Sequence, residues 1–171
     1  NAVAADQADI GVVATDIGGT NNIGTVASIS TDVSAVAAQF VPYEFNTTTT
    51  TSSDPGSGKF AFNSATLANV TEICVSATDA NGTNVSGYLD YFDDSTNVTS
   101  KATIVLRTAA KDALWCNITA LSNQTTFFRF TVVVLTQAGS FGSGEKGFLG
   151  FSRTGDKGTD GTGAGDVIGP S

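Results

Sequence analysis

The sequence contains no histidine, so histidine-based catalysis is excluded and acid–base or nucleophilic chemistry would have to draw on its 16 carboxylates, its lysines, tyrosines and hydroxyls, or its two thiols, Cys74 and Cys116. Glycoside hydrolysis needs two carboxyls facing each other across the scissile bond, one of them held protonated by its surroundings. Glu44, Glu72 and Glu145 stand in no such setting. Loop oxygens for Ca²⁺ are offered by Asp79, by Asp90, Asp93 and Asp94, and by Asp156, Asp160 and Asp166, but none follows the EF-hand spacing and each suits a solvated turn. Gly142-Ser143-Gly144-Glu145-Lys146-Gly147 fits G-x-G-x-x-G. A dinucleotide site would open a helix there to receive the pyrophosphate, whereas Phe148 to Ser152 continues as strand or loop. Around Gly58-Lys59, Ser53 replaces the first glycine of a phosphate loop and Phe60 the Mg²⁺-binding hydroxyl. No catalytic residue, cofactor or metal is therefore assigned, and the chain is expected not to be an enzyme.

Two other kinds of chemistry are written more clearly. Seven N-x-Ser/Thr sequons occur, at Asn46, Asn69, Asn81, Asn84, Asn97, Asn117 and Asn123, among 11 asparagines. With Ser and Thr filling roughly a quarter of positions, about three would arise by chance. The excess points to an N-glycosylated protein that is extracellular, either secreted or on the cell surface. In such a compartment an even cysteine count implies a single Cys74–Cys116 disulfide, closing a long loop worth roughly 4 kcal/mol. A net charge of -8 repels phosphate backbones and anionic head groups, which argues against nucleic acid and membrane-surface partners. No apolar run approaches the roughly 20 residues of a membrane span, and Asn1 reads as a processed terminus of a soluble chain.

These groups must be positioned by β-strands. At 171 residues, 40% apolar and 14% charged, the chain has room for one domain with a Ser/Thr/Asn/Gly surface, or one domain plus an arm. Residues 1–58 hold six acids and no base, and up to Phe40 there is no aromatic residue. Short alternating stretches such as Ile23 to Ser30 have β propensity without the bulk for a core. Residues 31–41 also fit a short helix ended by Pro42. Residues 1–45 are thus read as an N-terminal arm, 46–58 as a Thr/Ser/Gly/Pro linker, 59–152 as the glycosylated β body and 153–171 as a Gly-rich loop or tail. Within the body, strands are expected near Lys59–Asn63, Leu67–Thr78, Tyr88–Phe92, Val98–Arg107, Ala113–Leu121 and Thr125–Thr136. Val98, Ala102, Ile104 and Leu106 should share one face, and Phe127 to Leu135 is apolar on both faces. If Asn69 points outward, Glu72 and Cys74 point inward together. The expected fold is all-β, an antiparallel β-sandwich or jelly roll with an extended N-terminal β arm.

The arm, the Thr-rich break, the glycosylated all-β body and the processed terminus together resemble subunits of extracellular filaments built by donor-strand complementation: archaeal threads, bundling pili and bacterial matrix fibres. The resemblance is one of layout and rests on no motif. It implies a homopolymer, a helical filament in which the N-terminal strand of one copy inserts into the next beneath a coat of covalent glycans. Ile10, Val12, Ile23, Thr25, Ala27 and Ile29 are the candidate donor-strand contacts, and the 124–152 region the candidate acceptor. The alternatives are a secreted or cell-surface β-sandwich binding module, either carbohydrate-binding or adhesive, and a viral jelly-roll coat protein. A sugar-binding face would draw on Tyr88, Tyr91, Phe92 or Trp115.

Overall fold

In the computed structural model the described residues are 40–158; all six candidate donor-strand residues lie outside them. The chain divides after Phe40, and the described strands all belong to the unit that begins at Val41. Its fold is all-β. Seven strands, β1 (Val41–Phe45), β2 (Lys59–Phe62), β3 (Glu72–Ser76), β4 (Ala102–Thr108), β5 (Ala113–Asn123), β6 (Phe127–Ala138) and β7 (Lys146–Arg153), form a closed barrel in the order β1-β2-β3-β6-β5-β4-β7.

Closure into a barrel, where a sandwich or jelly roll was expected, comes from β1. It pairs antiparallel with β7 from Val41↔Leu149 to Glu44↔Lys146, and parallel with β2 at Glu44↔Lys59 and Phe45↔Phe60. The last five residues of the expected 1–45 arm are therefore wall, because Tyr43 and Phe45 are core. Parallel neighbours need a crossover of a dozen or more residues, which the expected linker 46–58 supplies. Tyr43 Oη, fully buried, donates to the Ser76 carbonyl at 3.0 Å.

Side chains alternate as strands require. Ala102, Ile104 and Leu106 of β4, Leu114, Cys116 and Ile118 of β5, and Phe128, Phe130 and Val132 of β6 all face the interior. Val98, expected beside them, precedes the strand and is 82% exposed. One end of the core holds Phe45, Phe60, Phe62 and Phe141, with ring centroids 5.0 to 5.8 Å apart. β6 stops at Gly139, whose φ of +68° suits glycine; a Cβ there would sit 1.7 Å from Asp112 Oδ1. That same oxygen accepts the Ser140 N–H at 3.1 Å.

Two expected strands are different elements. Tyr88–Phe92 lies in a helix, α1 (Ser86–Asp90), followed by a 3-10 turn (Tyr91–Asp93). The three-residue spacing of Leu89 and Phe92 puts both fully inside. Leu67–Thr78 splits into a 3-10 turn (Leu67–Asn69) and the shorter β3. The start of the expected tail is tied to the loop before β4: the Thr154 N–H donates to the Lys101 carbonyl at 2.9 Å, and Arg153 bridges Asp156 at 2.7 Å.

Glu72 and Cys74 do share a face, but it is the outer one, since Ile73 and Val75 fill the interior. Thr51 and Pro55 of the crossover are buried, and the Thr51 hydroxyl bonds to Glu72, so the crossover lies along the outside of β3. Arg129 completes the cluster, donating to Glu72 through Nε at 3.2 Å and Nη2 at 2.6 Å. Burial raises the Glu72 pKa, but bonds from Arg129 and Thr51 and the nearby guanidinium charge outweigh it, leaving the carboxyl below its ordinary range. A depressed folded-state pKa stabilises above the unfolded value and that stability is lost as pH falls through the folded one. Urea titrations should therefore show a stability loss below about pH 4 that Glu72→Gln flattens. Equal pH slopes for the two proteins would count against this.

The expected Cys74–Cys116 disulfide is absent; both thiols are free and buried. Cys74 lies on the outer face with Ala61 and Phe127, Cys116 lies in the interior cluster, and β6 runs between their strands. Opposite faces of a sheet cannot be joined by a bridge whose Cβ atoms must approach to about 4 Å. Burial pushes Cys74 up to about 11 and Cys116 up to about 12. Neither should react with iodoacetamide at neutral pH until the protein is denatured, after which both should react without reductant. Failure of the denatured chain to react before reduction would restore the bridge.

Candidate assembly surface

Among the described residues, the second half of β6 has no strand partner on one side. Strand β3 pairs with it only from Phe127 to Thr131, and the Val132 N–H donates to the Thr71 carbonyl at 2.9 Å. Beyond that point no strand among the described residues pairs with this side of β6, although β5 continues to pair as far as Ala138 on the other. The 3-10 turn at Leu67–Asn69 is a neighbour of β6 but adds no strand pairing. Val133 is 55% exposed and Leu135 53% exposed. Exposed edges are usually blunted by lysine, proline or an inward charge. Val132-Val133-Val134-Leu135-Thr136-Gln137-Ala138 contains none of these.

A cleft of about 110 Å³ opens just past the end of this edge, among Phe45, Phe62, Leu67, Phe141 and the threonines at 47–49. Small-molecule sites run from about 300 Å³ upward, so the cleft suits a single side chain. Beside the edge lies the outer face of β4, β5 and β6. Register places Val105 beside Trp115, and Asn117 between Thr103 and Val133. All point outward, because their strand neighbours Ile104, Cys116, Ile118 and Val132 are core. Leu135, two residues after Val133 on the same strand, points outward as well, and the register shift there sets Thr136 beside Trp115.

Of the sequon asparagines, Asn117 and Asn123 lie in β5, Asn69 in the 3-10 turn, and Asn46, Asn81, Asn84 and Asn97 between the strands. Asn69, Asn81, Asn84 and Asn123 are exposed, and Asn46, Asn97 and Asn117 half-buried. In Asn46, Asn84, Asn97 and Asn123, Oδ1 accepts the N–H two residues on, at 2.8 to 3.0 Å, so the asparagine and its hydroxyl residue form one turn. Asn46 Nδ2 also donates to the Pro55 carbonyl at 2.8 Å and Asn123 Nδ2 to Asp90 at 2.9 Å. Of the aromatic candidates for a sugar-binding face, Phe92 is core, Tyr88 packs edge-on against it, Trp115 is half-buried and Tyr91 is 63% exposed.

Sequence reasoning detects the two-faced apolarity of Phe127–Leu135 but not the open edge. A signal for it exists in the uncharged, proline-free run that outlasts the short β3. Among the described residues no group of three or more His, Cys, Asp or Glu converges on a metal position, and no helix is long and apolar enough to cross a membrane. No known protein family, curated protein or solved structure matches the chain.

Proposed function

We propose that the protein is a structural subunit of an extracellular glycoprotein filament, polymerising head to tail by strand addition of its N-terminal segment to the neighbouring copy. The observation that carries this reading is the unguarded β6 edge. Among the described residues the closed wall has no missing strand, so the acceptor is this edge and not a gap in the barrel. An added strand takes affinity from main-chain hydrogen bonds and specificity from alternate side chains. Ile23 to Ser30 offers such an alternation without a single charge. One docked segment links two copies, and its repetition does not close on itself, which gives a filament.

Deleting residues 1–39 should leave a folded barrel that no longer polymerises, with retained near-UV dichroism and no filaments by negative-stain microscopy. Filaments unchanged in form after the deletion would reject the reading. The binding-module alternative is favoured by one observation, the exposed ring of Tyr91. It gains if glycan arrays show retention that Tyr91→Ala abolishes.

A further inference from the structure

We infer that a sugar carried by Asn117 lies on the apolar outer face formed by Val105, Trp115, Val133 and Leu135 and covers it. The inference rests on the glycoprotein reading. Asn117 is the one sequon asparagine in the middle of a paired strand; it sits in register between Thr103 of β4 and Val133 of β6, with Trp115 two residues away on the same face. Thr103 Oγ1 donates to Asn117 Oδ1 at 2.9 Å. That bond fixes the carbonyl end of the amide and leaves the nitrogen, the atom N-linked sugars use, to carry the saccharide over the sheet.

The occupant follows from this tether. A pyranose presents one face of C–H groups, which packs on an indole ring and on aliphatic side chains, while its hydroxyls stay in water. Its partner face here is half-apolar and continuous across three strands. A sugar attached at its centre would be intramolecular, at an effective concentration on the order of mM, so a contact too weak to hold a free saccharide suffices to keep this one on the face. The same glycan would deny this face to a second protein copy but leave the backbone edge of β6 accessible from the side. The face and the edge, though adjacent, thus take different occupants: a saccharide on one and a strand on the other.

Trp115 is the only tryptophan in the chain, so its fluorescence reports this face alone. The experiment uses glycosylated protein and its Asn117→Gln and Thr119→Ala variants, both of which remove the sequon, with Asn81→Gln as control. Peptide mapping locates the sugars, far-UV dichroism verifies folding, and acrylamide quenching is measured on assembled and dissociated subunits. Loss of the Asn117 sugar should raise the quenching constant about two-fold and red-shift the emission in both variants, with the control unchanged. If other asparagines carry sugar but Asn117 does not, or if its loss leaves quenching unaltered, the inference is overturned while the glycoprotein reading stands. If no asparagine carries sugar, both fall. Protection of Trp115 that vanishes on dissociation with the sugar still attached would give the face to a second copy and also overturn the inference.

Discussion

Leu135→Lys should yield subunits that fold normally and do not polymerise. The side chain is 53% exposed in the free subunit, so the monomer loses little, within about 0.5 kcal/mol for a surface change of this kind. In the proposed polymer the same position would border an added strand. An ammonium there must either be desolvated without a partner or splay the pairing, at a cost of several kcal/mol per junction. Each 1.4 kcal/mol is about ten-fold in the association constant, so the concentration needed for filaments should rise at least about a hundred-fold. Sedimentation and negative-stain imaging across a dilution series would measure it, alongside an unchanged melting temperature. Filaments persisting at the wild-type concentration would remove β6 from the interface.

The largest stability effect is expected at Phe92. Its ring stacks on Phe151 at 4.0 Å and 6° and on Phe130 at 5.5 Å and 18°, and it is fully buried. Phe92→Ala should cost about 3–5 kcal/mol through lost burial and the cavity left between two rings. For a domain of this size that is a fall in melting temperature of on the order of 10 °C or more. Tyr91→Ala, one residue away but 63% exposed, should change stability by no more than about 0.5 kcal/mol. Calorimetry that found the two variants alike would mean that the helical segment does not anchor the barrel.

The contrast between these neighbours shows what is legible in the sequence. Where β-alternation is clean, as in Ala102, Ile104 and Leu106 or Leu114, Cys116 and Ile118, the inward face is readable from residue type alone. Tyr88 to Phe92 misleads, because aromatic residues favour strands and five residues are too few to separate a period of two from one of 3.6. The parity of Glu72 and Cys74 is correct in the sequence, but their side of the sheet is not. That depends on whether Thr51 and Pro55 cover the outer surface, a tertiary fact no local pattern contains. The expected disulfide errs for the same reason: compartment chemistry says that two thiols can pair, and only topology says which faces they occupy. Barrel closure is equally hidden, since it rests on Val41 meeting Leu149.

That last contact governs how the chain reaches its fold. Val41 and Leu149 stand near opposite ends of the described sequence, and four register pairs join their strands. The wall cannot close until nearly all of the barrel's chain is available, so a growing chain exposes its first strand for the whole of that time. Sequence-distant pairing is intrinsically slow, on the order of milliseconds to seconds for β topologies. The hairpin of β5 and β6, joined by a short turn at Gln124-Thr125-Thr126, requires no such wait and is free to form first. The seam between β1 and β7 therefore carries a far larger loop-closure cost than the β5–β6 hairpin, and in it the order of folding and the direction in which the chain emerges become the same problem.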